Sequence, residues 1–146
     1  MDRPLCLICE DEMLISIDLQ TCLEDIGMAV AGPFVRGADA LAWAAANKPD
    51  LALLDYLLQD GDCLPLISAL REQQVPIIIH SGWLPAENEM PPEMNGLPWL
   101  SKPIDRNILL RAMAKAAPQI NLPQSTNVAG AALVAGEDLP GGKLNR

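Results

Sequence analysis

The chain has 146 residues, room for one domain of ordinary size. Half of the residues are hydrophobic and 20% are charged, which suffices for a core and excludes disorder throughout. The formal charge of −9, with only five aromatic residues, argues against nucleic acid and against an anionic membrane surface as partners.

Residues 5–9 (LCLIC) form a short apolar run, as expected for a strand covered on both faces. The run is too short for a signal peptide's apolar region or a membrane span, so a cytoplasmic location is expected, with the four cysteines reduced. Cys6 and Cys9 make a C-x-x-C. On a strand, residues three apart point to opposite faces, and the thiols read as buried and structural rather than redox-active. Ile15, Leu19, Cys22, Leu23 and Ile26 then recur on one helix face, with Gly27 as its stop. Residues 28–33 form a second, weaker strand, and residues 38–47 an alanine-rich helix carrying Trp43 as core or partly exposed filler.

Residues 51–55 are a third strand closing on Asp55, and Asp60-Gly61-Asp62 is a turn. Asp62 is placed to cap a helix carrying Leu66, Ile67 and Leu70. Residues 75–80 and 97–101 are the fourth and fifth strands; Ile104, Ile108, Leu109, Ala112 and Met113 mark a last amphipathic helix. Five strands alternating with helices give an α/β fold, a parallel sheet with helices on both faces. Pro85, Pro91, Pro92 and Pro98 oppose a regular fourth helix, and a loop or single irregular turn is expected there. Residues 1–117 form the domain, and residues 118–146, with seven Pro or Gly, read as a flexible tail without an output domain.

In an open parallel sheet, ligands collect at the carboxyl ends of the strands. Those ends carry Glu10 and Asp11, Asp55, Ser81 and Lys102. Clustered carboxylates call for a cation or for raised pKa values, and Mg²⁺ suits oxygen ligands that leave positions for water and phosphate. Asp55 can then act as a nucleophile towards phosphorus, with Lys102 absorbing charge and Ser81 donating a hydrogen bond.

LCLICEDE, DLALLDYLLQDG, VPIIIHSG and LSKP, in this order and spacing, resemble a response-regulator receiver domain of two-component signalling, over about residues 4 to 117. The resemblance implies a flavodoxin-like strand order 2-1-3-4-5. It makes Asp55 the phospho-acceptor and Asp11 the direct Mg²⁺ ligand, with Glu10 binding mainly through water and Leu57 through its backbone carbonyl. Ser81 and Lys102 would contact the phosphoryl group, Gly82 would leave room for it, and Lys102-Pro103 would be a cis peptide lining the pocket. Trp99 fills the aromatic switch position.

The sequence has Glu10 where Asp is frequent in that family, Ser81 where Thr is frequent, and Trp99 where Tyr or Phe is usual. The implied partners are a histidine kinase or histidine phosphotransfer protein and a downstream protein. The implied class is a stand-alone, single-domain regulator. Leu57 and Trp83 flank the path of attacking water in the family; both are large and apolar here and are expected to prolong the aspartyl phosphate. His80 reads as strand-end packing, and Glu12, Asp60 and Asp62 as solvated or capping residues.

Three rivals remain. An aspartate-nucleophile phosphohydrolase needs a second Asp two residues after the nucleophile, where Leu57 stands, so the chain is not expected to be a turnover enzyme. A phosphorylation-independent receiver-like binding module is the alternative function. A flavin or nucleotide binder lacks the glycine-rich loop after the first strand.

Overall fold

A computed structural model describes residues 3–83, 86 and 89–120. The elements in chain order are β1 (Leu5–Cys9), α1 (Met13–Asp25), β2 (Ala29–Phe34), α2 (Gly37–Ala46), β3 (Leu51–Asp55), β4 (Leu57–Leu58), β5 (Gly61–Asp62), α3 (Leu64–Glu72), β6 (Ile77–Ser81), β7 (Trp99–Ser101) and α4 (Arg106–Ala116). Five strands form one parallel sheet in the order β2-β1-β3-β6-β7, which is the expected 2-1-3-4-5 once the β4–β5 hairpin is set aside.

Alternation along the strands divides the core in two. Leu7 and Cys9, Ala52 and Leu54, and Ile77 and Ile79 face α2 and α3, where Ala40, Ala44, Leu66, Ile67 and Leu70 meet them. Cys6 and Ile8, Leu51 and Leu53, and Ile78 face α1 and α4, meeting Leu19, Cys22, Leu23, Leu109 and Met113. Cys6 and Cys9 therefore lie in opposite cores, and all four cysteines are free and buried. Burial pushes the Cys6, Cys9 and Cys63 thiols well up, which keeps them protonated and unreactive.

The helix ends follow from sequence. At the end of α1, Gly27 takes φ 94° and donates to the Glu24 carbonyl, while the Met28 amide reaches the Leu23 carbonyl. This is a Schellman stop, which glycine adopts without steric cost. Asp62 Oδ1 accepts the Leu64 amide at the start of α3, and Asp105 caps α4 by accepting from Asn107 and Ile108.

β2 is irregular at Gly32-Pro33, a cis peptide that the sequence reading did not anticipate, and the β1–β2 register shifts there. Gly32 has φ 101°, and a Cβ on it would stand 2.7 Å from the Ile8 carbonyl oxygen, so only glycine fits. Expected strands 75–80 and 97–101 start later, at Ile77 and Trp99, because Pro76 and Pro98 have no N–H for the ladder. Their carbonyls still accept from Ala52 and Ile79.

Where a fourth helix would cross between β6 and β7, the described residues hold no α-helix; a 3-10 turn spans Pro92–Met94. Met94 is buried in the α2–α3 core, with Met90 and Leu97 packed beside it, and so covers the face that a helix would have covered. Ile108 departs from expectation: it is exposed, because α4 turns Leu109 and Met113 inward and Ile108 lies on the flank. Trp43 is partly buried against the α2–α3 core, its ring 6.3 Å from Phe34. No described helix is long and apolar enough to cross a membrane. The expected tail lies outside the described residues except at 118–120, where Ile120 packs on the α1–α4 core.

Candidate functional site

Parallel register sets the strand ends level. Cys9 pairs with Leu54 and Asp55 with His80, so the residues following β1 and those ending β3 and β6 share one edge of the sheet. There, one carboxylate oxygen from each of Glu10, Asp11 and Asp55 lies within 4.8 Å of the others. Lys102 enters just after β7, on a cis bond to Pro103, and its backbone amide donates to the Ser81 carbonyl. Its Nζ lies 2.8 Å from Asp55 Oδ2, 2.9 Å from Glu10 Oε1 and 3.1 Å from Glu12 Oε1. Glu10 Oε2 also accepts the Glu12 amide at 2.8 Å, and Asp55 Oδ1 accepts the Leu57 amide at 3.3 Å.

Burial dominates the electrostatics. It pushes Glu10 up to about 7, against the Glu12 amide and Lys102, which favour the charged form. Asp55 is raised as well, by burial and the nearby Asp11 charge, although Lys102 and the Leu57 amide oppose this. For Lys102, burial works against the charge, but the hydrogen bonds to Asp55, Glu10 and Glu12 outweigh it and hold the ammonium above its ordinary value.

His80 is fully buried, and its Nδ1 stands 3.3 Å from Glu10 Oε1. Burial, with Lys102 nearby, pushes the imidazole down to about 3, so this contact is a neutral ring against a carboxyl group and not an ion pair. More carboxylates than cations therefore converge on the edge. Three hard oxygen donors within 4.8 Å form the kind of set that Mg²⁺ takes, and the residues fit that ion.

The remaining expected site residues sit on β6 and β7 and in the segments that follow β3, β6 and β7. Ser81 ends β6, is buried, and its Oγ accepts the Trp83 amide at 3.1 Å. A Cβ added to Gly82 would meet nothing within 4 Å, so packing alone does not demand glycine there. Leu57 and Trp83 are each half exposed. Trp83 stacks on Tyr56 with ring centroids 5.4 Å apart, and Trp99 meets the same Tyr56 ring at 5.7 Å. Pro103 lines a groove between α1 and the start of α4, with Ile15, Leu19 and Leu109.

Sequence reasoning missed two participants, Glu12 and Tyr56, and the target of one cap. Glu12, expected to be solvated or a cap, is mostly exposed yet reaches Lys102; the signal was the run Glu10-Asp11-Glu12 directly after β1. Tyr56 joins both tryptophans, and nothing in its spacing announced this. Asp60 caps as expected, but it caps α2: Oδ1 accepts the Gly37 amide at 2.7 Å and Oδ2 that of Ala38 at 2.9 Å. These backbone bonds hold the Asp60 carboxyl below its ordinary value.

The model of the response regulator receiver domain matches residues 6–114. The chain belongs to this family. Over 78 residues the receiver is 46% identical to the KDP operon transcriptional regulatory protein KdpE of Escherichia coli (strain K12), covering 51% of this chain and 33% of KdpE. It is 28% identical over 112 residues to the transcriptional regulatory protein PdtaR of Mycobacterium tuberculosis, covering 75% of this chain and 55% of PdtaR. The chain thus spans about a third to a half of the curated relatives it matches. Among solved structures, the signal receiver domain of a modulated diguanylate cyclase from Desulfovibrio desulfuricans G20 superposes with a TM-score of 0.71 at 29% identity, covering 81% of this receiver and 96% of that chain.

Proposed function

We propose that this receiver accepts a phosphoryl group on Asp55 from a histidine kinase or histidine phosphotransfer protein and signals through protein–protein contacts. The observation that carries the reading is the Lys102 ammonium 2.8 Å from a buried Asp55 carboxylate, at the edge of a three-acid cluster that fits Mg²⁺. An Asp55 oxygen attacks phosphorus, the N–P bond of the phosphohistidine donor breaks, and its electron pair returns to the imidazole. Glu10, Asp11 and Asp55, with the Leu57 backbone carbonyl, would hold Mg²⁺, which when bound neutralises charge on the transferring oxygens.

Lys102 is already paired with Asp55, so it can follow the negative charge from the carboxylate to the phosphoryl oxygens. The Ser81 hydroxyl accepts from Trp83, which leaves its own proton to donate to the new group. Phosphorylation adds about −1.5 to −2 charges where carboxylates already crowd, and Ser81 and Trp99 are the groups that would shift in response. Leu57 supplies no acid or base, which supports a signalling protein over a turnover enzyme. We place its action in the cytoplasm, where such donors act.

The test is intact-protein mass after incubation with Mg²⁺ and acetyl phosphate, beside an Asp55→Asn variant. One phosphate gained only with Mg²⁺, and only with Asp55 present, is the expected result. A gain that persists in Asp55→Asn overturns the acceptor assignment. No gain from acetyl phosphate or from phosphohistidine donors favours a phosphorylation-independent binding module.

A further inference from the structure

His80 is the one histidine of the chain, fully buried at a strand end, and nothing in the phosphoryl chemistry uses it. It continues the face of Ile78 on β6 and pairs in register with Asp55, where an apolar side chain would serve for packing alone. Neither ring nitrogen has a conventional hydrogen-bond partner among the described residues. A buried polar ring in that state is disfavoured unless a nearby group uses it. The group in reach is Glu10 Oε1, 3.3 Å from Nδ1 and itself completely buried.

We propose that His80 is a positioning residue for Glu10: it fixes the carboxylate through an Nδ1–H to Oε1 contact, so that Glu10 stays aimed at the metal position. This rests on the reading of the acidic cluster as an Mg²⁺ site. A glutamate has one more rotatable bond than an aspartate, and at the end of β1 it needs an anchor that a shorter acid would not. Oε2 is held by the Glu12 amide at 2.8 Å. Lys102 Nζ also donates to Oε2, at 3.1 Å, and Oε1, without a conventional hydrogen-bond partner, has that ammonium at 2.9 Å and His80 Nδ1 at 3.3 Å beside it. When Lys102 turns towards a phosphoryl group, His80 is the donor left to Oε1. Groups that orient metal ligands in this way typically change metal affinity by about 10–100-fold when removed.

The experiment is an Mg²⁺ titration of the full chain followed by backbone amide NMR shifts, for wild type, His80→Phe, Glu10→Asp and the double variant. His80→Phe should raise the Kd for Mg²⁺ about tenfold. His80→Gln, which keeps an N–H donor, should recover most of the affinity. In the Glu10→Asp background the shorter carboxylate no longer reaches the ring, so adding His80→Phe should change the Kd by less than about twofold.

A Kd unchanged by His80→Phe in a protein that binds Mg²⁺ normally overturns the His80 role alone. Equal weakening in both backgrounds overturns it too, since that is what damaged packing would do. No Mg²⁺ response in wild type overturns the reading of the site as well. Should His80→Phe fail to fold, the ring nitrogen shifts of the wild-type protein decide: a proton on Nδ1 is expected, and one on Nε2 overturns the proposal.

Discussion

Replacing Lys102 with methionine keeps the aliphatic stem and removes the ammonium that three carboxylates share. At 2.8 Å and an effective dielectric near 20, the Lys102–Asp55 attraction is about 6 kcal/mol gross, and the Glu10 contact at 2.9 Å is nearly as strong. Most of that is returned. The lysine no longer has to be desolvated, the Glu12 side chain is 61% exposed and its pairing is screened, and Glu10, already near 7, takes up a proton at small cost. What remains is a destabilisation of about 2–3 kcal/mol in the metal-free protein.

A divalent cation replaces the missing positive charge, so saturating Mg²⁺ should stabilise Lys102→Met by at least about 1 kcal/mol more than it stabilises wild type. Urea unfolding near neutral pH, with chelator and with Mg²⁺, reads both quantities as midpoint shifts at constant slope. A variant as stable as wild type in chelator, with the same gain from Mg²⁺, would refute the charge balance described here.

Metal-free wild type should lose stability as pH rises from about 6.5 to about 8; below that range His80 opposes Glu10, because its buried ring is held down to about 3 while the unfolded imidazole takes up a proton near its ordinary value of 6.5. The folded pKa of Glu10 lies above its ordinary value of 4.5, so at Glu10 the folded state binds more protons than the unfolded one up to about 7, and Asp55 acts with the same sign. Melting temperatures that are flat or rising across that range would contradict it. Asp105→Ala removes the side chain that accepts two amides at the start of α4 and should cost about 1 kcal/mol in urea unfolding; no cost would mean the cap is dispensable. Gly32→Ala should cost about 2 kcal/mol or more, from φ 101° and the close Ile8 carbonyl, and an unshifted melt would show that β2 can rearrange. Polar replacements at Trp83 or Leu57 should hasten loss of phosphate from Asp55, measured by mass against time; an unchanged lifetime would rule out shielding by these side chains.

The sheet was legible because its three inner strands, buried on both faces, must be continuous apolar runs, and 5–9, 51–55 and 75–80 are such runs. The strand-end acids and Lys102 were legible for a topological reason: parallel strands deliver their carboxyl ends to one edge. The bonding among them was less so. Asp60 meets amides 22 and 23 positions earlier, a contact made by the packing of the hairpin against α2 that no local pattern announces. Ile108 misled because helical periodicity identifies a face but not its width, and α4 sits with Leu109 and Met113 at the centre of its contact. His80 looked like packing because a lone histidine on an apolar strand offers no partner in sequence; Glu10 lies 70 residues away and becomes its neighbour only through β3.

Both rims of the sheet carry imino acids. Pro33 interrupts β2 on one side, and on the other β7 is three residues long and bounded by Pro98 and Pro103. Without amide hydrogens there, neither rim presents a continuous template on which a sixth strand could be laid, whether from another copy or from a foreign peptide. Association is thereby directed away from backbone ladders and towards helix surfaces and loops, where side chains decide the match. A sheet that resists extension at both rims also guards against strand-to-strand aggregation.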